Sequence, residues 1–273
     1  MRIKKKRLAM SDGTIIYTKE SLIAKLEEIC SKGWIESTRK DNAGSVGNTL
    51  EDLLGIKENN LPIPNAAEWE LKCQRLQTKS LTTLFHVEPS PTALKFVPTI
   101  LLPKYGWPHK EAGKRYPSSE MSFRQTISTQ GRSDRGFKVM VERPQNKILI
   151  SFDAKSVSSK HTVWLDGVKS KIGAGEINPQ PYWGFDDLYH KAGTKLHNCF
   201  FVGALHKKIN GIEHFQYTKI LMLKNFSKER FIKAIEDGEI LVDFDARTGH
   251  NHGTKFRFRN NRLYKLYDEV TEI

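Results

Sequence analysis

The stretch Gly47–Lys72, GNTLEDLLGIKENNLPIPNAAEWELK, decides the fold class of this chain. It predicts a short helix over Thr49–Leu54, which directs its leucines to a core and ends at Gly55. Glu51 emerges from this helix at the expected edge of a cleft. The pair Pro64-Asn65 then predicts a turn before a strand. A helix, a turn and a strand in this order are typical of an α/β domain.

The strand is predicted from the alternation of charged and apolar residues over Glu68–Cys73. Successive strand residues point to opposite sides, so Glu68, Glu70 and Lys72 share a face, which we expect to line a cleft. A glutamate can bind a divalent metal, and a lysine two residues on can orient a water or stabilise developing charge during phosphodiester hydrolysis. An E-x-K pair alone is not specific, because a surface ion pair has the same spacing.

The amino-acid composition indicates the kind of binding partner and the cellular location of the protein. The 273 residues contain 44 Lys and Arg against 31 Asp and Glu, a formal net charge of +13, which favours nucleic acid as the partner. Three cysteines without C-x-x-C spacing indicate neither a disulfide framework nor a zinc ribbon. No run of apolar residues is long enough to cross a bilayer, and the basic N-terminal run lacks a signal-peptide core. We therefore expect a soluble cytoplasmic protein.

The motifs together resemble a known group of nucleases. Pro64-Asn65 followed by Glu70-Leu71-Lys72 resembles the PD-(D/E)XK signature, and GNTLEDLLG at 47–55 is similar to a segment of MutH-like nucleases. The ELK strand and HGTKFR at 252–257 most resemble the MvaI/BcnI group of restriction endonucleases. The resemblance is good from Gly47 to about Val87 and patchier over 105–124, 182–198 and 243–257.

The resemblance implies roles for the residues that match its motifs. Glu70 would be a metal ligand, Lys72 the catalytic lysine and Glu51 an accessory carboxylate, and Leu71 would add its backbone carbonyl to the metal shell. The implied cofactor is Mg²⁺, with Mn²⁺ as a substitute. The first acidic ligand of the pattern falls on Asn65, which departs from it.

An amide at position 65 keeps the shape of an aspartate but lacks the charge that holds a hard cation. We therefore expect weak metal binding and little cleavage by this chain. Two explanations are open: an aspartate-to-asparagine change made so that substrate survives crystallisation, or a natural replacement compensated by Glu68 or Glu51. The intact Pro64, Glu70 and Lys72 favour the first.

Candidate DNA-reading residues lie in DARTGHNHGTKFRFR at 245–259. Arginine, histidine, asparagine and threonine side chains reach base edges in the major groove. The candidates are Arg247, His250, Asn251, His252, Lys255 and Arg257. Histidines bonded to local backbone are the alternative, and zinc is disfavoured because no partner ligand has suitable spacing.

A second basic segment, 103–135, has little regular periodicity and reads as a DNA-contacting loop. Its candidates for phosphate contacts or base reading are Lys104, Trp107, His109, Lys114, Arg115 and Arg124. His86, on the strand that follows the E-x-K strand, could approach the scissile phosphate, but a packed strand histidine is the favoured interpretation.

The sequence predicts an α/β PD-(D/E)XK nuclease fold, a mixed sheet flanked by helices, with two lobes around a DNA cleft. The catalytic lobe is predicted over about 1–172 and the recognition lobe over about 173–273, divided at the Gly- and Pro-rich loop 173–184. Further strands are predicted at His161–Leu165 and Leu263–Tyr267.

The resemblance implies a Type II deoxyribonuclease that cuts double-stranded DNA with Mg²⁺ at a short CC/GG-containing site. The resemblance also implies that the protein is a monomer and that a DNA methyltransferase is its functional partner. Two alternatives stay open: a MutH-like strand-nicking repair endonuclease, and an inactive sequence-specific DNA-binding protein. An RNA-binding module is disfavoured, because no suitable aromatic pattern or GXXG clamp is present.

Overall fold

The computed structural model describes residues 8–9, 15–39, 44–56, 68–78, 80–259 and 262–273. The chain forms two compact units: unit 1 from Met1–Ser80, Ala192–Ser227 and Asn260–Ile273, and unit 2 from Leu81–Lys191 and Lys228–Arg259. These boundaries differ from the predicted division near residue 173. The loop at 173–184 does not separate two units, because its end forms a strand within the sheet structure of unit 2.

Helices and strands are interspersed along the described part of the chain. The helices are α1 Lys19–Ser31, α2 Ser45–Leu54, α3 Leu102–Tyr105, α4 Thr162–Ile172, α5 Phe185–Leu196 and α6 Lys228–Glu236. The strands are β1 Leu8–Ala9, β2 Ile15–Ile16, β3 Ile35–Glu36, β4 Glu70–Arg75, β5 Thr82–His86, β6 Trp107–Pro108, β7 Met121–Ile127, β8 Arg135–Glu142, β9 Lys147–Val157, β10 Tyr182–Gly184, β11 Asn198–Ile209, β12 Ile212–Phe226, β13 Ile240–Arg247, β14 His250–Asn251, β15 Lys255–Phe258 and β16 Tyr267–Glu272. The mixed α/β fold predicted from the sequence is confirmed.

The main sheet of unit 1 has the order β16-β12-β11-β4, with β3 beside β12. Its centre is the long antiparallel hairpin of β11 and β12, which turns at Asn210-Gly211. Both turn residues have positive φ (50° and 82°), as a tight two-residue hairpin turn requires. The strand β4 runs parallel to β11, so the E-x-K segment is an edge of this sheet in the described residues.

Two helices cover one face of this sheet. Thr18 caps α1 by accepting a hydrogen bond from the Ser21 N–H at 3.2 Å, and α2 ends at Gly55 with a left-handed φ of 65°. Both helices bury apolar residues at helical spacing, and these pack with Leu71 of β4. Burying each leucine stabilises the unit by about 1.5–3 kcal/mol.

The larger sheet of unit 2 has the order β5-β15-β13-β7-β6, with β14 beside β13. Unit 2 also contains a three-stranded sheet with the order β10-β9-β8. Val242, Phe244 and Ala246 of β13 are buried, whereas Asp243, Asp245 and Arg247 alternate with them and are partly exposed. The strand pairs antiparallel with both β7 and β15. One face of the sheet is therefore a core and the other a polar surface.

Four predictions of secondary structure are wrong, and one of them is the irregular loop at 103–135, which contains the sheet strand β7. Residues 162–172 form helix α4 instead of a strand, since Leu165 and Val168 are buried at helical spacing and the Trp164 indole donates to the Tyr105 carbonyl at 3.1 Å. The segment Leu263–Leu266 is a 3-10 turn before β16. Helix α2 begins at Ser45, four residues before its predicted start at Thr49. No helix in the described part of the chain is long and apolar enough to span a membrane.

Candidate active site and nucleic-acid interface

Glu70 and Lys72 form an ion pair on one face of β4, with Lys72 Nζ 2.6 Å from Glu70 Oε1. Both side chains are largely enclosed, since the Glu70 side chain is 1% exposed and that of Lys72 16%. The cause is the pairing with β11, which places the buried residues Cys199 and Phe201 beside Glu70 and Lys72.

A second lysine reaches the same carboxylate oxygen. Lys195, in the last turn of α5, has its Nζ 3.6 Å from Glu70 Oε1 and a side chain that is 27% exposed. Two cations offset the cost of burying the carboxylate. Sequence reasoning missed Lys195, because no local spacing connects α5 with β4.

The other polar neighbours of Glu70 stay neutral. Burial raises the pKa of the Cys199 thiol to about 12, and the Glu70 charge adds to the rise. Burial also raises the pKa of the Tyr267 hydroxyl well above its ordinary value, with contributions from Cys199 and Glu70. Neither group therefore brings a second negative charge to Glu70 near neutral pH.

The Glu70 carboxylate fits the role of a metal ligand. Its Oε2 is buried and has no hydrogen-bond partner among the described residues. An unpaired buried oxygen is costly, and a hard divalent cation is a suitable partner for it. Among the described residues, no group of three or more His, Cys, Asp or Glu side chains is arranged to hold a metal ion. Asn65 and Pro64, where the pattern continues, lie outside the described residues.

Glu51 lies beside the other face of β4. Burial raises the pKa of the Cys73 thiol, and the nearby Glu51 carboxylate adds to this rise. Cys73 and Leu71 share the face that packs against α2, opposite to Glu70 and Lys72. The role of Glu51 as an accessory carboxylate near the metal stays a prediction of the resemblance.

Glu68 does not continue the charged face of the strand. The strand begins at Glu70, two residues later than predicted, and Glu68 is exposed in the preceding turn. Its Oε1 accepts a hydrogen bond from the Trp69 indole at 3.2 Å. This arrangement offers no support for the idea that Glu68 compensates for Asn65.

In unit 2, Asp245 on β13 binds two cations from neighbouring strands. Its Oδ1 is 2.6 Å from Arg124 Nε on β7, and its Oδ2 is 3.1 Å from Lys255 Nζ on β15. Burial raises the pKa of Asp245, but the hydrogen bond from Lys255 and the charges of Arg124 and His252 outweigh it and lower the pKa overall. Arg124 remains 48% exposed, so part of its guanidinium faces solvent.

Arg247, two residues further along β13, is held by two groups. Its Nη1 donates to Glu120 Oε1 at 2.9 Å, and the guanidinium carbon lies 4.6 Å from the centre of the Tyr116 ring. Glu120 is buried, whereas the Arg247 side chain is 30% exposed. A guanidinium carries five N–H donors, so Arg247 keeps donors for a further acceptor.

The turn that follows β14 is organised by Glu88. Its carboxylate accepts hydrogen bonds from the Thr254 N–H at 2.9 Å, the Thr254 hydroxyl at 3.2 Å and the Asn251 amide at 3.4 Å. Gly253 has a φ of 82°, which a residue with a side chain rarely adopts. His250 and His252 lie with their ring centres 4.2 Å apart and are exposed.

Asp245, Arg124, Arg247 and the two histidines line a cleft of about 500 Å³ in unit 2. It is lined by His109, Lys110, Glu111, Arg115, Tyr116, Arg124, Asp245, Arg247, His250 and His252. The cleft brings together predicted residues from both basic segments. Sequence reasoning missed Lys110, Glu111, Tyr116 and Asp245 as lining residues, although all four lie within the segments that it selected.

Two of the predicted DNA-contacting residues, Arg257 and Lys104, lie outside this cleft. Arg257 donates to Asp243 Oδ2 at 3.1 Å and to the Leu81 carbonyl at 3.0 Å, so its guanidinium joins neighbouring parts of unit 2. Lys104 lines a separate cavity of about 220 Å³, together with Glu176. Neither residue lines the cleft that holds Arg124 and Arg247.

The remaining candidates differ in exposure. Trp107 packs on Phe123, and the Arg135 guanidinium lies 3.9 Å from its ring centre, so the indole is part of a packed cluster. His109 is mostly buried although it lines the cleft, and its Nδ1 accepts the Glu111 N–H at 3.1 Å. His86, interpreted as a packed strand residue, is exposed at the end of β5.

Comparison with known proteins gives one family and one fold. The sequence profile of the MvaI/BcnI restriction endonuclease family matches residues 23–267. A solved structure of the restriction endonuclease MvaI in complex with cognate DNA superposes with a TM-score of 0.73 at 23% identity, covering 94% of this chain and 99% of that one. MvaI in the absence of DNA gives a TM-score of 0.51 at 20% identity over the same shares. No curated protein matches the chain significantly.

The structural likeness, at these identities, concerns the fold and agrees with the predicted PD-(D/E)XK class. The family profile extends over most of the chain and includes β4, β13 and the turn after β14. The chain therefore belongs to the MvaI/BcnI restriction endonuclease family.

Proposed function

We propose that this chain is a Type II deoxyribonuclease that hydrolyses double-stranded DNA with Mg²⁺ at a short CC/GG-containing site, and that Asn65 impairs its cleavage. Membership of a restriction endonuclease family supports a site-specific DNA endonuclease. The metal, the recognition site and the effect of Asn65 belong to the proposal, as do a monomeric state, a cytoplasmic location and a partner methyltransferase.

The observation that carries the proposal is the state of Glu70. A carboxylate that is 1% exposed, paired with Lys72 at 2.6 Å and left with one unpaired oxygen among the described residues, is prepared for a cation. An ordinary surface ion pair would leave both oxygens in contact with water. The burial thus favours the functional interpretation of the E-x-K motif over the surface alternative.

Each residue of the E-x-K motif would have a distinct task. Glu70, and the Leu71 carbonyl as the resemblance implies, would hold the metal. When bound, Mg²⁺ supplies charge neutralisation at the phosphate and lowers the pKa of an attacking water. Lys72 would orient this water and stabilise the charge that develops on the phosphate.

The cleft of unit 2 is proposed to read DNA. It holds Arg124, Arg247, His250 and His252, whose side chains are suited to guanine edges and phosphates. The similar MvaI structure is a complex with cognate DNA, which supports duplex DNA as the ligand of this chain as well. The net charge of +13 favours the same partner.

Asn65 supports a second candidate function, that of a sequence-specific DNA-binding protein that does not cut. An amide in place of the first acidic ligand removes a charge that a hard cation needs. The cleft of unit 2 is lined by other residues, so we expect this chain to bind DNA without cleaving it.

The two functions are distinguished by an Asn65→Asp variant, incubated with mixed duplex DNA and Mg²⁺ or Mn²⁺. We expect discrete double-strand fragments whose sequenced ends share one short motif, while the unchanged chain binds the same site and cuts it slowly. Specific binding without cleavage by the variant would leave the binding protein as the function. Nicks confined to one strand would indicate the MutH-like alternative.

A further inference from the structure

The unexplained feature of the candidate active site is that two lysines share one carboxylate oxygen. Lys72 and Lys195 lie 2.6 and 3.6 Å from Glu70 Oε1, whereas Oε2 is buried without a partner in the described part of the chain. A pair of cations would normally spread over both oxygens. Because both lysines contact Oε1, Oε2 is the oxygen that remains available for another ligand.

Lys72 alone could not hold Glu70 throughout the proposed reaction. Its short, charge-assisted bond to Oε1 must weaken when its ammonium group turns to the reacting phosphate. Glu70 would then lose a counter-charge while it is 1% exposed, which is expensive. A second cation from another element removes this conflict.

We propose that Lys195 is a positioning residue, which holds Oε1 of Glu70 when Lys72 engages the phosphate and keeps Oε2 directed at the divalent cation. This inference rests on the proposed function and adds a residue to it. The metal is held by Glu70, and Lys195 acts through that carboxylate.

The surroundings of Lys195 suit this task. The end of α5 is anchored by Ala192 and Leu196, which are completely buried on either side of Lys195. The backbone at the lysine is therefore fixed, while its side chain, 27% exposed, keeps room to follow Glu70. Lys195 is also on a different element from Lys72, so one can move without the other.

The first test needs no metal and uses the chain as it exists. Thermal unfolding in EDTA is measured for Lys195→Met, for Glu70→Gln and for the double variant. We expect Lys195→Met to lower Tm by roughly 2–4 °C when Glu70 is present. In the Glu70→Gln background it should not lower Tm, because no buried anion remains to be balanced. Equal losses in both backgrounds, or no loss in either, would overturn the proposal.

The second test measures single-turnover cleavage in the Asn65→Asp background. Lys195→Met should slow cleavage roughly 10- to 100-fold at saturating Mg²⁺, because Glu70 is misplaced. It should also raise the Mn²⁺ concentration that gives half-maximal rate. Lys195→Arg, which keeps the charge, should restore most of the rate, and DNA affinity should stay the same in all variants.

Lys191→Met is the matched control, since Lys191 lies one turn earlier on α5 and forms no ion pair with the described residues. It should change neither Tm nor rate. If Lys195→Met cuts normally, or if Lys195→Arg is as slow as Lys195→Met, Lys195 does not position Glu70. Failure of the Asn65→Asp chain itself to cut would instead refute the proposed function, while the unfolding test would still decide whether Lys195 acts through Glu70.

Discussion

Glu70 in unit 1 and Asp245 in unit 2 are both strand carboxylates with two basic partners, but the partners are distributed differently. The lysines of Glu70 both lie on Oε1, and Oε2 is left unpaired within the described residues. The partners of Asp245 occupy separate oxygens, with Arg124 on Oδ1 and Lys255 on Oδ2. Glu70 is 1% exposed and Asp245 is 19% exposed.

From this difference we infer that the two carboxylate sites suit ligands of opposite charge. A buried carboxylate with an unsatisfied oxygen attracts a cation. A carboxylate with both oxygens satisfied instead fixes the cations around it, whose remaining donors can bind an anion or a base edge. Variants that change one partner at a time can break or sharpen this contrast.

The largest effect is expected at Lys72. In the Asn65→Asp background, Lys72→Met should reduce the cleavage rate by about 10²–10³-fold, because a cation near the developing charge is lost. Affinity for the cognate duplex should be retained, as measured by fluorescence anisotropy in EDTA. Unchanged cleavage would show that the ion pair with Glu70 is only structural.

Arg247 should affect binding and leave the chemistry intact. Arg247→Met removes the guanidinium that Glu120 and Tyr116 hold, so specific DNA affinity should fall by about 1–3 kcal/mol, or roughly 5- to 150-fold. Binding to unrelated duplexes should fall far less. Arg143→Met is the control, because Arg143 pairs with Glu229 and Glu236 outside the cleft. A similar loss on all duplexes would assign Arg247 to phosphate contact.

Arg257, although a candidate from the sequence, should act on stability. Arg257→Met breaks its bonds to Asp243 and to the Leu81 carbonyl, which should cost about 1–3 kcal/mol of unfolding free energy. Urea unfolding measures this change. Specific DNA affinity should be preserved in the folded variant, and a selective loss of affinity would restore Arg257 to the reading residues.

The smallest effect concerns Lys255 and depends on pH. The pKa of Asp245 is lowered in the folded protein, so its ion pairs stabilise the fold above the unfolded pKa of about 4 and stop doing so as pH falls through the folded pKa. Lys255→Met should therefore cost about 1 kcal/mol at pH 7 and less below pH 4. Urea unfolding at both pH values gives the difference. A cost that does not change with pH would mean that Lys255 acts through packing.

The part of the site that follows from local geometry could be predicted from the sequence. Glu70 and Lys72 share a face because they are two residues apart on a strand, and this requires no knowledge of the rest of the fold. The burial of that face could not be predicted, because it depends on the parallel pairing of β4 with β11. Lys195 was missed for the same reason.

Tertiary contacts also explain the other errors. Residues 162–172 contain β-branched and aromatic side chains that favour a strand, but helical spacing buries Leu165 and Val168. Arg257 belongs to a basic segment typical of base reading, yet the antiparallel neighbour β13 supplies Asp243 as its partner. The lobe boundary was predicted at the Gly- and Pro-rich loop 173–184, whereas each unit is built from several separate segments of the chain.

This interleaving has a consequence for synthesis on the ribosome. β4, with Glu70 and Lys72, is made early, but its strand partner β11 begins at Asn198. The hairpin of β11 and β12 in turn gains its outer neighbour only when β16, Tyr267–Glu272, has emerged. A nascent chain that ends before β11 carries the E-x-K segment on an unpaired strand. Pairing of the E-x-K strand therefore waits until translation has passed β11, and the sheet of unit 1 gains β16 only at the end of synthesis.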